Sequence, residues 1–312
     1  MPQNRSPLFV AVINYNGAED SIRCLVSLNE SSFHPLRLLL IDNASRDNSV
    51  DQIRRALPHV EIVQLTRNLG YAGGCNAAIR TALGHGASYC LVLNNDTVVD
   101  THALGYLKET ADNHELVAAV GPRIMDYTNR DVILSLGGEV DLRTGRGRHN
   151  GWGKTDHRTS NDLRNVAGFL DGSAMMFVLR NLDPIGLFNE RYFMYHEEAE
   201  WCYRARRAGF RLLLDGRAIV WHKGRGTAKV TDPRVQYLTQ RNRVFFLKEF
   251  ASKAQWLGFW IRLPLEVSRR ARPDSGTHHP QGKNILNAGH MARGLIDGLC
   301  GGERFRNQYR FE

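Results

Sequence analysis

Four short apolar runs in the first hundred residues each stop abruptly at asparagine or aspartate, and this restricts the fold more than any other feature of the chain. Residues 8–13 run into Asn14-Tyr15-Asn16-Gly17, and residues 36–41 into Asp42-Asn43. Residues 60–65 lead into Thr66-Arg67-Asn68-Leu69-Gly70, and residues 90–93 into Asn94-Asn95-Asp96. Runs this short between polar breaks read as buried strands. Between them lie segments with helical spacing. Residues 20–29 form the first. A second, capped by Ser45 or Asp47, runs through Ala56 with Pro58 marking its end. A third is opened by Gly73-Gly74 and runs through residue 83. Strands alternating with helices predict an α/β domain with a mostly parallel sheet covered on both faces. The C-terminal ends of parallel strands share one edge, where open sheets of this class bind ligands. Asn14, Asp42, Asn68, Asn95 and Asp96 are therefore expected around one cleft. Asp100 is the natural cap for a helix over 101–113, which leaves Asp96 to act as a turn residue or to hold a hard divalent cation against phosphate oxygens.

The glycine-rich stretch Gly70-Tyr71-Ala72-Gly73-Gly74-Cys75-Asn76 opens a helix, so its N–H groups could face a phosphate. It lacks the G-x-G-x-x-G spacing and follows the third strand, which argues against a nicotinamide fingerprint; a tight packing loop is the other reading. Beyond residue 115, residues 117–125, 132–140, 172–179, 211–214 and 218–220 read as extended, with Gly137-Gly138 as a break. Residues 143–160, rich in Gly, Arg, His and Thr, read as a loop. Glu197, Glu198 and Glu200 open a helix that ends in arginines before Gly209. The helix dipole favours their ionised form, and an ionised carboxylate beside a cleft suits a general base; ordinary acid enrichment of a first turn explains one or two of the three. His222, just past a strand, fits a core histidine or a metal ligand. Residues 235–250 read as a helix.

Five scattered cysteines without C-x-x-C spacing argue against a disulfide framework or zinc site. The N-terminus lacks the apolar core of a signal peptide, so a cytoplasmic location is expected. The formal charge of +9 is uneven: residues 201–312 hold 22 Lys and Arg against 8 Asp and Glu, and residues 1–200 hold 19 against 24. A basic final third suggests an anionic partner. No nucleic-acid reading motif is present, and nucleic acid is not expected. Trp256, Phe259 and Trp260 followed by Arg269, Arg270 and Arg272 suit peripheral contact with an acidic membrane, or packing of the aromatics on the protein itself. Residues 273–283 read as a linker, and 284–312 as a short helix with a polar end. An oligomer is compatible with all of this.

Taken together, several motifs resemble family 2 glycosyltransferases of the GT-A fold, in the bacterial rhamnosyltransferase-like branch. They are Val12-Ile13-Asn14-Tyr15-Asn16, Ile41-Asp42-Asn43-Ala44-Ser45, Asn68 through Asn76, Leu93-Asn94-Asn95-Asp96, Gly186 through Glu198, and His222 through Thr227. The resemblance covers roughly residues 8–250. It implies a Rossmann-like glycosyltransferase domain over 1–250, with a donor half (1–115) and an acceptor half (116–250), and a basic helical extension over 251–312. It puts Asn14, Asn16, Asp42, Asn68, Gly70, Gly73, Asn76, Asn95 and Asp96 on the nucleotide-sugar side, with Asp42 at the nucleobase. Asp96, the carboxylate surviving from a D-x-D motif, would hold Mg²⁺ or Mn²⁺ together with His222. Glu197-Glu198 align with the family's Glu-Asp pair and supply the base, with Glu198 favoured. Asp171, Arg241 and Asn242 fall on the acceptor or diphosphate side. The implied reaction is an inverting transfer, L-rhamnose from dTDP-rhamnose being the best guess, to a glycan or polyprenyl-diphosphate-linked glycan. A sugar nucleotidyltransferase and a non-catalytic nucleotide-sugar-binding module are the alternatives. The first lacks its basic glycine loop after strand one, and the second leaves Asp96 and the glutamates without a duty.

Overall fold

The computed structural model describes residues 7–156, 163–224, 232–271 and 288–301. Contacts group the chain into two units. The first lies within Met1–Glu139, Arg148–Phe193 and Glu197–Gly224; the second lies within Val140–Gly147, Met194–His196 and Arg225–Glu312.

The first unit opens with the expected alternation: β1 (Leu8–Asn14), α1 (Ala18–Asn29), β2 (Leu36–Asp42), α2 (Ser49–Ala56), β3 (Glu61–Gln64), α3 (Gly70–Gly84) and β4 (Tyr89–Asn94). The chain continues through β5 (Thr97–Val99), α4 (Ala103–Asn113), β6 (Val117–Asp126), β7 (Ile133–Ser135), β8 (Gly138–Asp141), β9 (Arg146–His149), β10 (Leu163–Asn165), β11 (Ala174–Val178), α5 (Glu197–Arg207) and β12 (Arg211–His222), all within the first unit except residues 140–147 of the β8–β9 hairpin, which group with the second. The main sheet runs β10-β12-β6-β11-β4-β1-β2-β3, with β5 beside β12 and β7 beside β6. From β4 to β3 the pairs are parallel, with Asn14 opposite Asp42 and Asp42 opposite Gln64. β11 is antiparallel to β4 and pairs Ala174 with Leu93, so residues just before it lie at the C-terminal edge of β4. β12 is parallel to β6 and antiparallel to β5, which sets His222 opposite Thr97. These two strands bring the second half of the chain to the edge that the first half builds.

β1 is buried along its whole length, as a strand covered on both faces must be. Its period of two turns Leu8, Val10 and Val12 into one core with Leu25 and Leu28 of α1 and Leu104 and Leu107 of α4. The opposite face carries α3 and α5. Gly74 packs against Ile13 there, and Trp201 meets Phe177 edge-on at 4.9 Å.

The structure differs from the sequence expectation in three places. α3 starts at Gly70 rather than Gly73, because Gly70 takes a φ of +71° that restarts the chain as a helix. The stretch expected as a loop over 143–160 contains β9, which pairs with β8 as a two-stranded hairpin. Polar strands without an apolar period give no hydrophobic signal, and the turn is built from Asp141 accepting from Arg143 N and Thr144 N. Residues 157–160 of that stretch lie outside the described residues, as does the expected linker over 273–283.

The second unit holds α6 (Pro233–Phe250), α7 (Lys253–Ala271) and α8 (Ala288–Cys300). α6 thus groups with the C-terminal helices, whereas the sequence boundary at 250 joined it to the preceding domain. Asp232 caps α6 by accepting from Arg234 N at 2.8 Å, with Pro233 pre-set at the first position. Gly294 and Gly298 let α8 approach α6 closely: a Cβ at either would come within 2.6 Å of Tyr237 O or Val244 Cβ. Val244, Leu247, Phe259, Leu263 and Leu295 form the core, with Trp256 and Trp260 partly buried against it.

Candidate active site

The ends of β1, β2 and β4 are tied together by side-chain amides. Asn14, fully buried, donates through Nδ2 to Asp42 Oδ1 (2.9 Å), Ser45 Oγ and Ser49 Oγ, and its Oδ1 accepts from Ser21 Oγ at 2.8 Å. Asp42, 1% exposed, also accepts from Ser45 Oγ and Ser45 N. Asn95 donates toward Asn14 Oδ1, Gly17 O and Ser21 Oγ. Asn14 and Asp42 thus sit at the expected edge as the fastening of the 42–49 turn. Asp47 Oδ1 accepts from Ser49 N in the turn before α2, but Asn48 takes the N-cap position without a side-chain cap bond, so neither Ser45 nor Asp47 caps the helix. Asn16 is exposed at φ +52° and accepts from Arg46 N, pinning the two strand-end loops to each other.

A residue the sequence did not single out, Asn43, clamps the glycine loop: its Oδ1 accepts from Leu69 N and its Nδ2 donates to Gly70 O. Asn68 accepts from Gly70 N in the turn before it. A Cβ on Gly70 would lie 2.2 Å from Phe193 O, and one on Gly73 2.3 Å from Leu69 Cβ, so both glycines are required by close approach. Asn76 is committed as well, bonding Phe188 N and O and Glu190 Oε1. The loop therefore serves as packing for the 188–193 segment.

Asp96 is 8% exposed and its Oδ1 lies 3.1 Å from His222 Nε2. The backbone pairing sets this up, since Lys223 N donates to Asp96 O. Burial opposes ionisation of Asp96, but the hydrogen bond and charge of His222, with the Lys223 charge, hold it below the usual carboxylate range. Burial likewise opposes the imidazolium of His222, and Asp96 raises it above its ordinary value. Among the described residues no cluster of three or more metal-ligating side chains occurs. The Asp96 carboxylate and the His222 imidazole, 3.1 Å apart, supply two donors of the kind that Mg²⁺ or Mn²⁺ takes, these ions filling their other positions with substrate phosphates and water.

The chain enters α5 through Phe193, Tyr195 and His196, non-glycine residues at φ +65°, +73° and +69°. Backbone strain of this kind, about 1–3 kcal/mol per residue, concentrates where a side chain must be aimed. Of the three acids that follow, Glu200 is structural: 1% exposed, it pairs with Arg204 at 2.5 Å, and Arg204 also donates to the Ile185 and Leu187 carbonyls. Glu197 and Glu198 differ. Each has a buried Oε2 with no partner among the described residues. Burial pushes Glu198 up to about 7, with the Asp171 charge adding to it; Glu197 is raised by burial and by Glu198. The expectation that the helix dipole keeps these carboxylates ionised is therefore corrected. A helix terminus contributes about 0.3–1 kcal/mol at exposed sites, and desolvation overrides it here.

Asp171 links the two halves of the site. Its Oδ1 accepts from Ser173 N and Ser173 Oγ, and its Oδ2 is 3.3 Å from His149 Nδ1. Although burial opposes it, the charges of His149 and His222 hold Asp171 ionised below its ordinary range. The same charge raises Glu198 and His222. A Cβ added to Gly172, beside it, would lie 3.4 Å from Glu198 Cβ, and Tyr71 Oη donates to Gly172 O. His149 and Tyr71 were not chosen from sequence; one sat in a stretch read as a loop, the other among glycines. Arg241 and Asn242 belong to the second unit and are buried there. Asn242 Nδ2 donates to Met194 O and Tyr195 O, and Arg241 Nε to Asn242 Oδ1.

The model of the family described as glycosyl transferase family 2 matches residues 9–178. The N-acetylglucosaminyl-diphospho-decaprenol L-rhamnosyltransferase of Mycobacterium tuberculosis (strain CDC 1551 / Oshkosh) is 26% identical over 281 residues, 84% of this chain and 88% of that protein. The structure of GalNAc-T7 with UDP, GalNAc and Mn²⁺ aligns with a TM-score of 0.65 at 12% identity over 98% of this chain, which spans only 58% of that one. The mannosyltransferase PcManGT from Pyrobaculum calidifontis, in complex with GDP-Man and Mn²⁺, aligns with a TM-score of 0.58 at 14% identity over 96% of this chain and 88% of that one. These two likenesses concern the fold, which is GT-A. Because the family model covers the sheet from β1 through β11, more than half of the chain, the protein belongs to glycosyl transferase family 2.

Proposed function

We propose that this protein is an inverting glycosyltransferase that moves a sugar from a nucleoside diphosphate donor to a hydroxyl of a polyprenyl-diphosphate-linked glycan, the sugar being L-rhamnose from dTDP-rhamnose. The observation that carries the reading is the orphaned, desolvated carboxylate of Glu198 in the same unit as the Asp96–His222 pair, with Asp171 acting electrostatically on both. A carboxylate raised toward neutrality is the stronger base, and matching its pKa to working pH is what general-base catalysis rewards. Glu198 accepts the acceptor hydroxyl proton while the oxygen attacks the anomeric carbon and the nucleoside diphosphate departs from the opposite face. Glu197, 4% exposed, is the more deeply buried of the two, and the charges of both glutamates raise Tyr71 and Cys75. Asp96 and His222 would hold Mg²⁺ or Mn²⁺, which when bound supplies neutralisation of the charge on the leaving diphosphate. Asn14, Asp42, Asn43 and Ser45 hold the strand-end loops in place for the nucleotide, and Asn16 and Asn95 stand at the same edge. The sugar and acceptor rest on the name of the mycobacterial relative.

The test is Glu198→Gln, assayed with dTDP-rhamnose and a short-chain polyprenyl-diphosphate N-acetylglucosamine. Donor binding, measured by calorimetry, should be kept, while turnover falls by about 10²–10⁴. Turnover within a factor of a few of the parent would move the base elsewhere.

A further inference from the structure

α7 has two apolar faces, and only one of them is used. Phe259 (1% exposed) and Leu263 (8%) enter the core with Val244, Leu247 and Leu295, and Trp256 and Trp260 pack beside them. The aromatics that sequence offered to a membrane are thus turned into the protein. On the other side, Leu257, Ile261 and Leu265 are 61%, 66% and 61% exposed. At about 100° per residue they fall within an arc of roughly 80°, centred opposite Phe259 and Leu263, and form a stripe about 12 Å long. Two exposed cations flank it: Arg262 about 60° beyond one border and Lys253 about 40° beyond the other. Among the described residues neither has an acidic partner. Arg269 and Arg270 follow in the sequence, and the whole segment 201–312 carries 22 basic against 8 acidic residues.

We propose that this face of α7 is a docking surface for an anionic lipid bilayer, with the three aliphatic side chains entering the acyl boundary and Lys253 and Arg262 meeting headgroup phosphates. An apolar stripe bordered by cations on a helix lying parallel to the surface is the geometry of interfacial adsorption. It anchors without spanning: no described helix is long and apolar enough to cross a membrane. A second copy of the chain fits less well. Three side chains expose a few hundred Å² at most, against ~800 Å² per partner in a stable protein interface, and pairing the stripe with itself would oppose like charges. The inference stands apart from the proposed transfer reaction, since adsorption to lipid needs neither donor nor acceptor.

Flotation of the full chain with vesicles of equal parts phosphatidylglycerol and phosphatidylcholine, against pure phosphatidylcholine, tests it. The parent should float with the anionic vesicles only and be released by high salt. Leu257→Ser/Ile261→Ser/Leu265→Ser should raise the lipid concentration for half-binding by about tenfold or more, and Lys253→Glu/Arg262→Glu likewise. All five side chains are exposed, so an unchanged melting temperature accompanies both variants. No flotation of the parent, or flotation unaffected by the aliphatic triple variant, overturns the proposal. So does a concentration-dependent dimer, seen by light scattering, that the triple variant dissolves while lipid binding persists.

Discussion

If Glu198 is the base, activity and stability should run in opposite directions with pH. The carboxyl sits at about 7 rather than the ordinary 4.5. It works ionised, so kcat/KM at saturating Mn²⁺ should climb through pH 7. About a tenth of the plateau should be present at pH 6 and about 1% at pH 5. A carboxyl at its ordinary value would leave about three-quarters of the plateau at pH 5, so one measurement separates the two cases. For stability the sign reverses. The folded state holds the proton between pH 4.5 and 7 while the unfolded chain has released it, so this group's contribution falls as pH rises through that window. Glu198→Gln, neutral at every pH, should therefore melt above the parent at pH 8 and alongside it at pH 4. Asp171→Asn removes one named cause of the upward shift. Its activity limb should move to lower pH, so that at pH 6 it keeps a larger fraction of its own plateau, while the plateau itself drops with the weaker base and the lost His149 contact. A parent limb near pH 4.5, or an Asp171→Asn limb that stays put or moves up, refutes the reasoning.

Asp96→Asn removes the carboxylate bonded to His222 and should abolish the Mn²⁺-dependent part of a thermal shift with dTDP; a retained shift would place the cation elsewhere. Gly70→Ala puts a Cβ 2.2 Å from Phe193 O at a φ of +71° and should lower stability by about 2–4 kcal/mol in urea unfolding, with a loss under 0.5 kcal/mol contradicting the packing role. Arg204→Ala removes the cation paired with Glu200, whose side chain is 2% exposed, and should cost about 3 kcal/mol; Glu200→Gln in the same background should recover part of it.

The sheet was readable because buried parallel strands are continuous apolar runs and their ends are punctuated by Asn and Asp. Asp96, Glu198 and His222 were readable for the same reason: each stands at the start or end of an element whose borders composition marks. Three kinds of information lay outside that signal. Asn43 and Tyr71 act on partners 27 and 101 positions away, and nothing local distinguishes them from ordinary turn and loop residues. β9 has no apolar residue to betray it, so His149 remained one basic residue among many in a stretch read as a loop. The ionisation of Glu198 is not legible locally, because the helix dipole is visible in eleven residues of sequence whereas desolvation depends on everything folded around the carboxylate.

Antiparallel β11 is the element that resolves the remaining difficulty of the site. In an all-parallel sheet, residues preceding a strand lie at the edge opposite the strand ends, and Asp171 would be remote from Asp96. Because β11 runs against β4, Ser173 O receives the amide of Asn94, and the turn before the strand lands at the ligand edge. One half-buried, ionised aspartate can then act on two groups of opposite need. It raises His222, favouring the imidazolium that pairs with Asp96, and it raises Glu198, favouring a carboxylate basic enough to take a hydroxyl proton. Reversing that one strand would leave every side chain of the site in the sequence and separate the two halves of its chemistry.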